Sequence, residues 1–188
     1  MISGPSISTG KLGNAIFLPN TDKSDDNEIR LGIHQNDCFG NITLCPNGLT
    51  LAFWIKIQSK ITSYSHFLRG TTFKFLAHAL ANNYNPIIRL FNTTHRQESR
   101  GILGLSYGEW YHFVITYDAS SGSGLYLDGR VTSREAWVTI VWTKGNVNDF
   151  ILGCEGGSKC TRVHYDDLRF WSVKKSSQFI CYLWKIYK

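Results

Sequence analysis

Residues 49–57 read Leu49-Thr50-Leu51-Ala52-Phe53-Trp54-Ile55-Lys56-Ile57, and this stretch decides the class of fold. Apolar side chains recur at every second position, so one face of an extended chain carries Leu51, Phe53, Ile55 and Ile57. The other face carries Thr50, Ala52, Trp54 and Lys56. Because successive side chains of a strand point to opposite sides, this alternation predicts a half-buried β-strand. Residues 111–117, YHFVITY, repeat the pattern.

Short strand-like runs separated by turn residues continue along the chain. The clearest span residues 13–18, 28–33, 125–127, 150–153 and 163–171, and weaker ones span 61–68, 73–80 and 87–91. Residues 119–124 predict a turn, and Asp128-Gly129 is a strong hairpin signal. Only residues 176–186 favour a helix. Many short strands with turns between them predict an all-β fold, an antiparallel sandwich or a barrel.

The composition is typical of one globular domain. The chain has 188 residues, of which 43% are hydrophobic and 18% charged, and this excludes a disordered or collagen-like chain. No apolar run reaches the length of a membrane-spanning helix, so we expect no membrane insertion of this domain. The expected organisation is a sandwich over residues 1–173 and a basic C-terminal tail, 174–188, which is a short helix or a truncated end.

The positive charge is concentrated at the end of the chain. The formal net charge is +6, and residues 174–188 hold four lysines and no acid, which leaves +2 on the rest. The other basic residues are scattered, so the sequence predicts no nucleic-acid partner. A broad positive field favours polyanions in general, including sulfated glycans.

The cysteines are spaced as two local pairs and one single residue. Cys38 and Cys45 are seven residues apart, Cys154 and Cys160 are six apart, and Cys181 is left over. This pattern is typical of an oxidised, secreted module, and the alternative is five reduced thiols in a cytosolic protein.

Two glycosylation acceptor sequences favour the extracellular alternative. Asn41-Ile42-Thr43 lies between Cys38 and Cys45, and the second is Asn92-Thr93-Thr94. We therefore expect a secreted protein or the ectodomain of a cell-surface protein.

Four motifs resemble those of laminin G-like jelly-roll domains of the concanavalin A-like lectin/glucanase fold, animal extracellular type. They are GKLGNAI (10–16), CPNGLTLAFWIK (45–56), GEWYHFVITYD (108–118) running on into GLYLDG (124–129), and YDDLRFW (165–171). The resemblance covers residues 10–173 and implies two antiparallel sheets packed face to face. The sequence departs from the family pattern after Trp171.

The resemblance also implies roles for single residues. The pairs Cys38/Cys45 and Cys154/Cys160 are similar to disulfides of extracellular members. Tryptophans inside the motifs are expected in the core, and these are Trp54, Trp110 and Trp171.

Catalytic arrangements are not apparent in the sequence. Enzymes of this fold use a Glu-x-Asp-x-x-Glu strand, and that spacing is missing here. Asp166 and Asp167 are adjacent, so they point to opposite faces of a strand and cannot act as a pair. A zinc site at Cys154, Cys160 and His164 lacks a fourth ligand, which favours a disulfide beside a lone histidine. The sequence predicts that the protein is not an enzyme.

Calcium is the one cofactor that the resemblance suggests. Many related domains hold a Ca²⁺ ion, which prefers oxygen ligands from loops. Because first and last strands pair in this fold, Asp166 is expected near Asp22, and these two are the predicted ligands. The alternative is that Asp166 or Asp167 binds a neighbouring turn.

The candidate ligand contacts lie after the Asp128-Gly129 hairpin. Trp137 and Trp142 fall on opposite faces of an extended chain, so one could stack on a sugar, and Arg134 could bind a sulfate or carboxylate. The alternative is that both tryptophans pack against the sheet.

These observations predict a non-catalytic extracellular recognition or adhesion module, part of a larger surface or matrix protein. Its ligand is expected to be a glycan or a protein surface. A carbohydrate-active enzyme of the same fold and a structural spacer are the alternatives.

Overall fold

A computed structural model describes residues 5–19, 28–34, 36–61, 64–70, 72–80, 82–91, 96–101, 103–135, 149–153 and 161–187. The strands are β1 (Ser6–Thr9), β2 (Asn14–Leu18), β3 (Glu28–Ile33), β4 (Leu49–Ile57), β5 (Tyr64–Arg69), β6 (Phe73–Ala79), β7 (Asn83–Phe91), β8 (Arg96–Arg100), β9 (Leu105–Ser106), β10 (Trp110–Asp118), β11 (Gly122–Leu127), β12 (Arg130–Glu135), β13 (Asp149–Gly153) and β14 (Val163–Trp171). A short 3₁₀ helix spans Ile42–Leu44, and helix α1 spans Ser177–Ile186.

The strands form two antiparallel sheets packed face to face, which confirms the predicted sandwich. The first sheet has the order β1-β2-β14-β4-β10-β11-β12. The second has the order β3-β13-β5-β6-β7-β8, with β9 also paired to β7. The predicted bounds of β3, β4 and β14 match the structure, and the Asp128-Gly129 hairpin joins β11 to β12.

Aromatic rings fill the space between the sheets. Phe75 of the second sheet lies 5.2 Å from the ring centroid of Phe53 and 4.9 Å from that of Phe113, both in the first sheet. The Tyr165 hydroxyl donates a 2.7 Å hydrogen bond to the backbone oxygen of Phe67 across this core. A buried hydroxyl that finds a partner in the opposite sheet also fixes how the two sheets align.

Helix α1 covers part of the outer face of the first sheet. Ile180 and Leu183 pack on Ala52, Val114 and Tyr126, and all five are buried. The prediction that strand 49–57 is half-buried is therefore wrong, because every residue of β4 except Lys56 is buried. The sequence pattern of one strand cannot show what lies on its second face.

The first turn of α1 begins at the predicted place. Ser176 is the N-cap, and its side-chain oxygen accepts a hydrogen bond from the Phe179 amide. The helix also approaches the hairpin closely, because a Cβ at Gly129 would lie 3.3 Å from the Cα of Cys181. No helix in the described part of the chain is long and apolar enough to cross a membrane.

Candidate functional site

A disulfide closes the loop between Cys38 and Cys45, one of the two predicted pairs. Asn41 lies inside this loop and is partly exposed. Asp37 orders the loop further, because its carboxylate accepts hydrogen bonds from the backbone amides of Phe39 and Gly40. Its other oxygen lies 2.7 Å from Nδ1 of His34. That contact with Asp37 raises the pKa of His34 above its ordinary value.

Several predicted site residues lie outside the described residues. They are Asp22, Asn92, Trp137, Trp142, Cys154 and Cys160. Arg134 belongs to strand β12, paired with Gly124 of β11. The remaining candidate, Asp166, is described in full.

Asp166 lies beside the turn between β1 and β2, whereas its predicted neighbour Asp22 follows the other end of β2, outside the described residues. The Oδ2 of Asp166 accepts a 2.8 Å hydrogen bond from the Leu12 amide, and the neighbouring Asp167 pairs with Arg169 at 2.7 Å. A small cavity of about 160 Å³ is lined by both carboxylates. No group of three metal-ligating side chains occurs among the described residues, so calcium at Asp22 and Asp166 remains a prediction.

Basic side chains form a row across the outer face of the second sheet. Arg69, Lys74 and Arg89 are consecutive cross-strand partners on β5, β6 and β7. Arg69 is also the partner of Ile151, and Ile151 is the partner of Arg30 on β3. Lys74 lies between Phe73 and Phe75, which point to the core, so Lys74 points outwards. Side chains of directly opposed residues stand on the same face, so the other basic residues of this series point outwards too. We name Arg30, Arg69, Lys74 and Arg89 the basic row.

Carboxylates neutralise one end of the basic row. Glu28, with a side chain only 6% exposed, accepts 2.8 Å bonds from both Arg30 and Arg69. Arg30 also reaches Asp149 at 3.2 Å. Lys74 and Arg89 lie at the other end, beyond β5, where Arg89 is the cross-strand partner of Glu98 on β8. The row crosses five strands, a span of about 19 Å at ordinary strand spacing.

An apolar floor adjoins these cations. Leu76 and Ile87 are cross-strand partners next to Lys74 and Arg89, on the same outer face, and both are buried. Their side chains are 0% and 1% exposed, so they are covered and present no surface to a ligand. The sequence alone did not indicate the basic row, because its residues come from separate segments.

The first sheet presents a different outer surface beside helix α1. Trp54 stacks near His112, with ring centroids 5.1 Å apart, and Trp110 contacts His164 at 6.0 Å. Trp54 is buried here rather than between the sheets, and Trp110 is partly exposed. Trp171 is also partly exposed, against Phe179 of α1. We name Trp54, Trp110, His112 and His164 the histidine–tryptophan cluster.

Burial keeps this cluster uncharged. Desolvation lowers the pKa of His112 to about 4 and that of His164 to about 4. The ammonium groups of Lys11 and Lys56 lie 5.2 and 5.1 Å from the centroids of Trp54 and Trp110. These cation–π contacts occupy the indole faces, so the cluster is a poor stacking surface for a sugar.

Comparison with known families gives one match along most of the chain. The family Laminin_G_3, described as "Concanavalin A-like lectin/glucanases superfamily", matches residues 23–181. A comparison with curated proteins gives no match.

Solved structures with the same fold include binding domains of clostridial toxins. The binding domain of Paraclostridial Mosquitocidal Protein 1 has a TM-score of 0.75 at 15% identity, covering 98% of this chain and 46% of that one. A botulinum neurotoxin type C structure, whose title states that cell entry depends on two ganglioside molecules, has a TM-score of 0.76 at 10% identity, covering 99% and 46%. The botulinum neurotoxin DC binding domain in complex with rat synaptotagmin II has a TM-score of 0.77 at 10% identity, covering 99% and 46%. The chain thus spans slightly less than half of each, and the likeness concerns the fold.

Proposed function

Since this chain belongs to the Laminin_G_3 family of the concanavalin A-like lectin/glucanases superfamily, we propose that it is a non-catalytic extracellular recognition module. We further propose that it binds an acidic glycan at the basic row.

The observation that carries this proposal is the direct opposition of three cations. Arg69, Lys74 and Arg89 are directly opposed on three neighbouring strands, with Glu28 paired to Arg69 and Glu98 the cross-strand partner of Arg89. Three cations placed side by side attract a ligand that carries several negative groups. The span of the row suits an oligosaccharide rather than one sugar ring.

The loop that precedes β4 supports an extracellular compartment. The Cys38–Cys45 disulfide is stable in oxidising surroundings, and Asn41 lies in a glycosylation acceptor sequence inside that loop. Both features support a secreted protein or an ectodomain. A bridge between Cys154 and Cys160 and a glycan at Asn92 remain proposals.

The toxin binding domains support recognition only by analogy of fold. One title names gangliosides, which are acidic glycolipids, and another names a complex with SialylT. The complex with rat synaptotagmin II favours a protein surface as the second candidate ligand. Ligand contacts by Arg134, Trp137 and Trp142, and a structural or bridging calcium at Asp22 and Asp166, remain further proposals.

A comparison of acidic and neutral oligosaccharides of matched length tests the proposal. We expect the protein to bind sialylated or sulfated oligosaccharides, and binding to weaken as salt is added. The double variant Lys74→Glu/Arg89→Glu should lose about tenfold or more in affinity, since two charges change sign. Lys60→Glu, an exposed lysine outside the row, is the matched control and should keep the affinity of the wild type.

Two results would contradict the proposal. Equal binding of neutral and acidic glycans would remove the role of charge, and unchanged binding by the double variant would remove the role of the basic row. Turnover of a β-glucan would replace the binding module with the enzyme alternative.

A further inference from the structure

A cleft of about 330 Å³ lies between the outer face of the first sheet and the start of helix α1. Thr116 of β10 and Ser123 and Gly124 of β11 line one side. The segment 174–177, which leads into α1, lines the other, and the remaining lining residues are Ser121 and Tyr126. The cleft is on the opposite side of the sandwich from the basic row.

One buried hydroxyl group in this cleft, Thr116 Oγ1, lacks a hydrogen-bond partner among the described residues. Thr116 is fully buried, and it stands on the outer face with its cross-strand partner Gly124. Ser123 is opposite Tyr117 of the core, so its side chain is on the inner face and only its backbone can line the cleft. A hydroxyl group both donates and accepts, and a buried one without a partner destabilises the fold. The Thr116 hydroxyl therefore points to a ligand that supplies a hydrogen-bond acceptor.

The opposite side of the cleft is positively charged. Lys174 and Lys175 precede α1 directly, and the first turn of the helix contains no acidic residue. Backbone amides at a helix N-terminus carry a partial positive charge and favour an anion. Lys174 pairs with Asp118 at 2.5 Å, whereas Lys175 is in no ion pair among the described residues. The Lys175 ammonium lies 5.0 Å from the centroid of the Phe179 ring.

Backbone contacts hold this positive side in place. The Lys175 amide donates a 2.8 Å hydrogen bond to Thr50 Oγ1, and the Lys174 amide donates a 2.9 Å bond to the oxygen of Asn47. Thr50 Oγ1 itself donates to the oxygen of Val173. The lysines and the helix start are thus fixed relative to β4 before any ligand arrives.

We propose that this cleft binds a tetrahedral oxyanion, the sulfate or phosphate ester group of a sugar. The Thr116 hydroxyl donates to one of its oxygens, and Lys175 and the first turn of α1 balance its charge. The volume exceeds that of a bare oxyanion and lies at the lower end of the range for small-molecule sites, which leaves room for one attached ring.

Titration with glucose 6-sulfate, glucose 6-phosphate and glucose, followed by NMR or calorimetry, tests the proposal. We expect the two esters to bind and glucose not to bind at the same concentration. The stronger ester identifies whether the group is sulfate or phosphate. Thr116→Val and Lys175→Gln should each weaken ester binding by about tenfold, the usual effect of removing a hydrogen bond or charge contact to an ion.

The stability of the variants separates a ligand site from a structural role. Thr116→Val should melt at the same temperature as the wild type or higher, since the hydroxyl has no hydrogen-bond partner among the residues that the structure describes. Thr50→Val, at an equally buried position with two partners, should melt lower. Lys185→Gln, at the other end of α1, is the charge control for Lys175→Gln and should keep the affinity.

The proposal is overturned if neither ester binds at millimolar concentration, if glucose binds as well as the esters, or if Thr116→Val and Lys175→Gln bind as the wild type does. Lys74→Glu/Arg89→Glu should leave ester binding at the cleft unchanged, so this test can fail independently of the basic row.

Discussion

The outer face of the first sheet carries helix α1 and the neutral histidine–tryptophan cluster, whereas the outer face of the second carries the partly exposed basic row. Between the sheets the two are alike, because both contribute apolar and aromatic side chains to one core. The inner faces therefore explain why the chain folds as a sandwich. The outer faces differ in charge and cover, and they explain what each side can bind.

The largest effect should come from removing the cover of the first sheet. Ile180→Ala deletes a fully buried side chain of α1, and we expect the free energy of unfolding in urea to fall by about 2–4 kcal/mol. Tyr182, in the same helix, is 62% exposed, so Tyr182→Ala is the control and should change the free energy of unfolding little. A loss below about 0.5 kcal/mol for Ile180→Ala would mean that residues 174–188 are a dispensable tail.

Acid should weaken the first sheet through His112. Its pKa is about 4 in the fold and 6.5 when unfolded, so between these values the unfolded chain binds more protons. The free energy of unfolding should therefore fall as pH drops from about 6.5 to 4, by about 2–3 kcal/mol for this residue. His112→Gln should flatten that slope in urea unfolding at several pH values. An unchanged slope would show that His112 is not buried uncharged.

The smallest effect concerns repulsion within the second sheet. Lys74→Gln removes the central charge between Arg69 and Arg89, and we expect stability at low salt to rise by about 0.2–1 kcal/mol. The gain should shrink at high salt, where exposed charges are screened. Thermal melts at both salt concentrations measure it, with Lys60→Gln as the control. A loss of stability would mean that the row is held by internal partners and needs no anion.

Local alternation was sufficient to place the central strands. β4 and β14 lie in the middle of the first sheet, and their bounds were predicted correctly. The apolar positions of β4 recur with period two, and those of β14 do so on either side of a register shift between Asp166 and Arg169. β1, β8 and β12 are at sheet edges, carry few apolar residues and were not predicted, whereas the edge strand β3 carries Ile29, Leu31 and Ile33 and was predicted. An edge strand packs against less of the core, so its sequence carries a weaker pattern.

The candidate site could not be predicted, because it depends on register between distant segments. The pairing of β5 with β6 shifts by one residue between His66 and Leu68. Because side chains alternate with period two, such a bulge moves Arg69 to the outer face opposite Lys74. The cleft at α1 was hidden for a similar reason, since Thr116 and Lys175 meet only after the helix folds back on the sheet.

Helix α1 is synthesised after every strand that it covers. Ala52, Val114 and Tyr126 therefore leave the ribosome before Ile180 and Leu183, and their apolar surface is open to chaperones and to other chains until the helix emerges. Only residues 172–176 separate β14 from α1, so docking of the helix requires little loop closure and should follow its synthesis quickly. The order of the chain thus keeps the aggregation-prone stage of biosynthesis short.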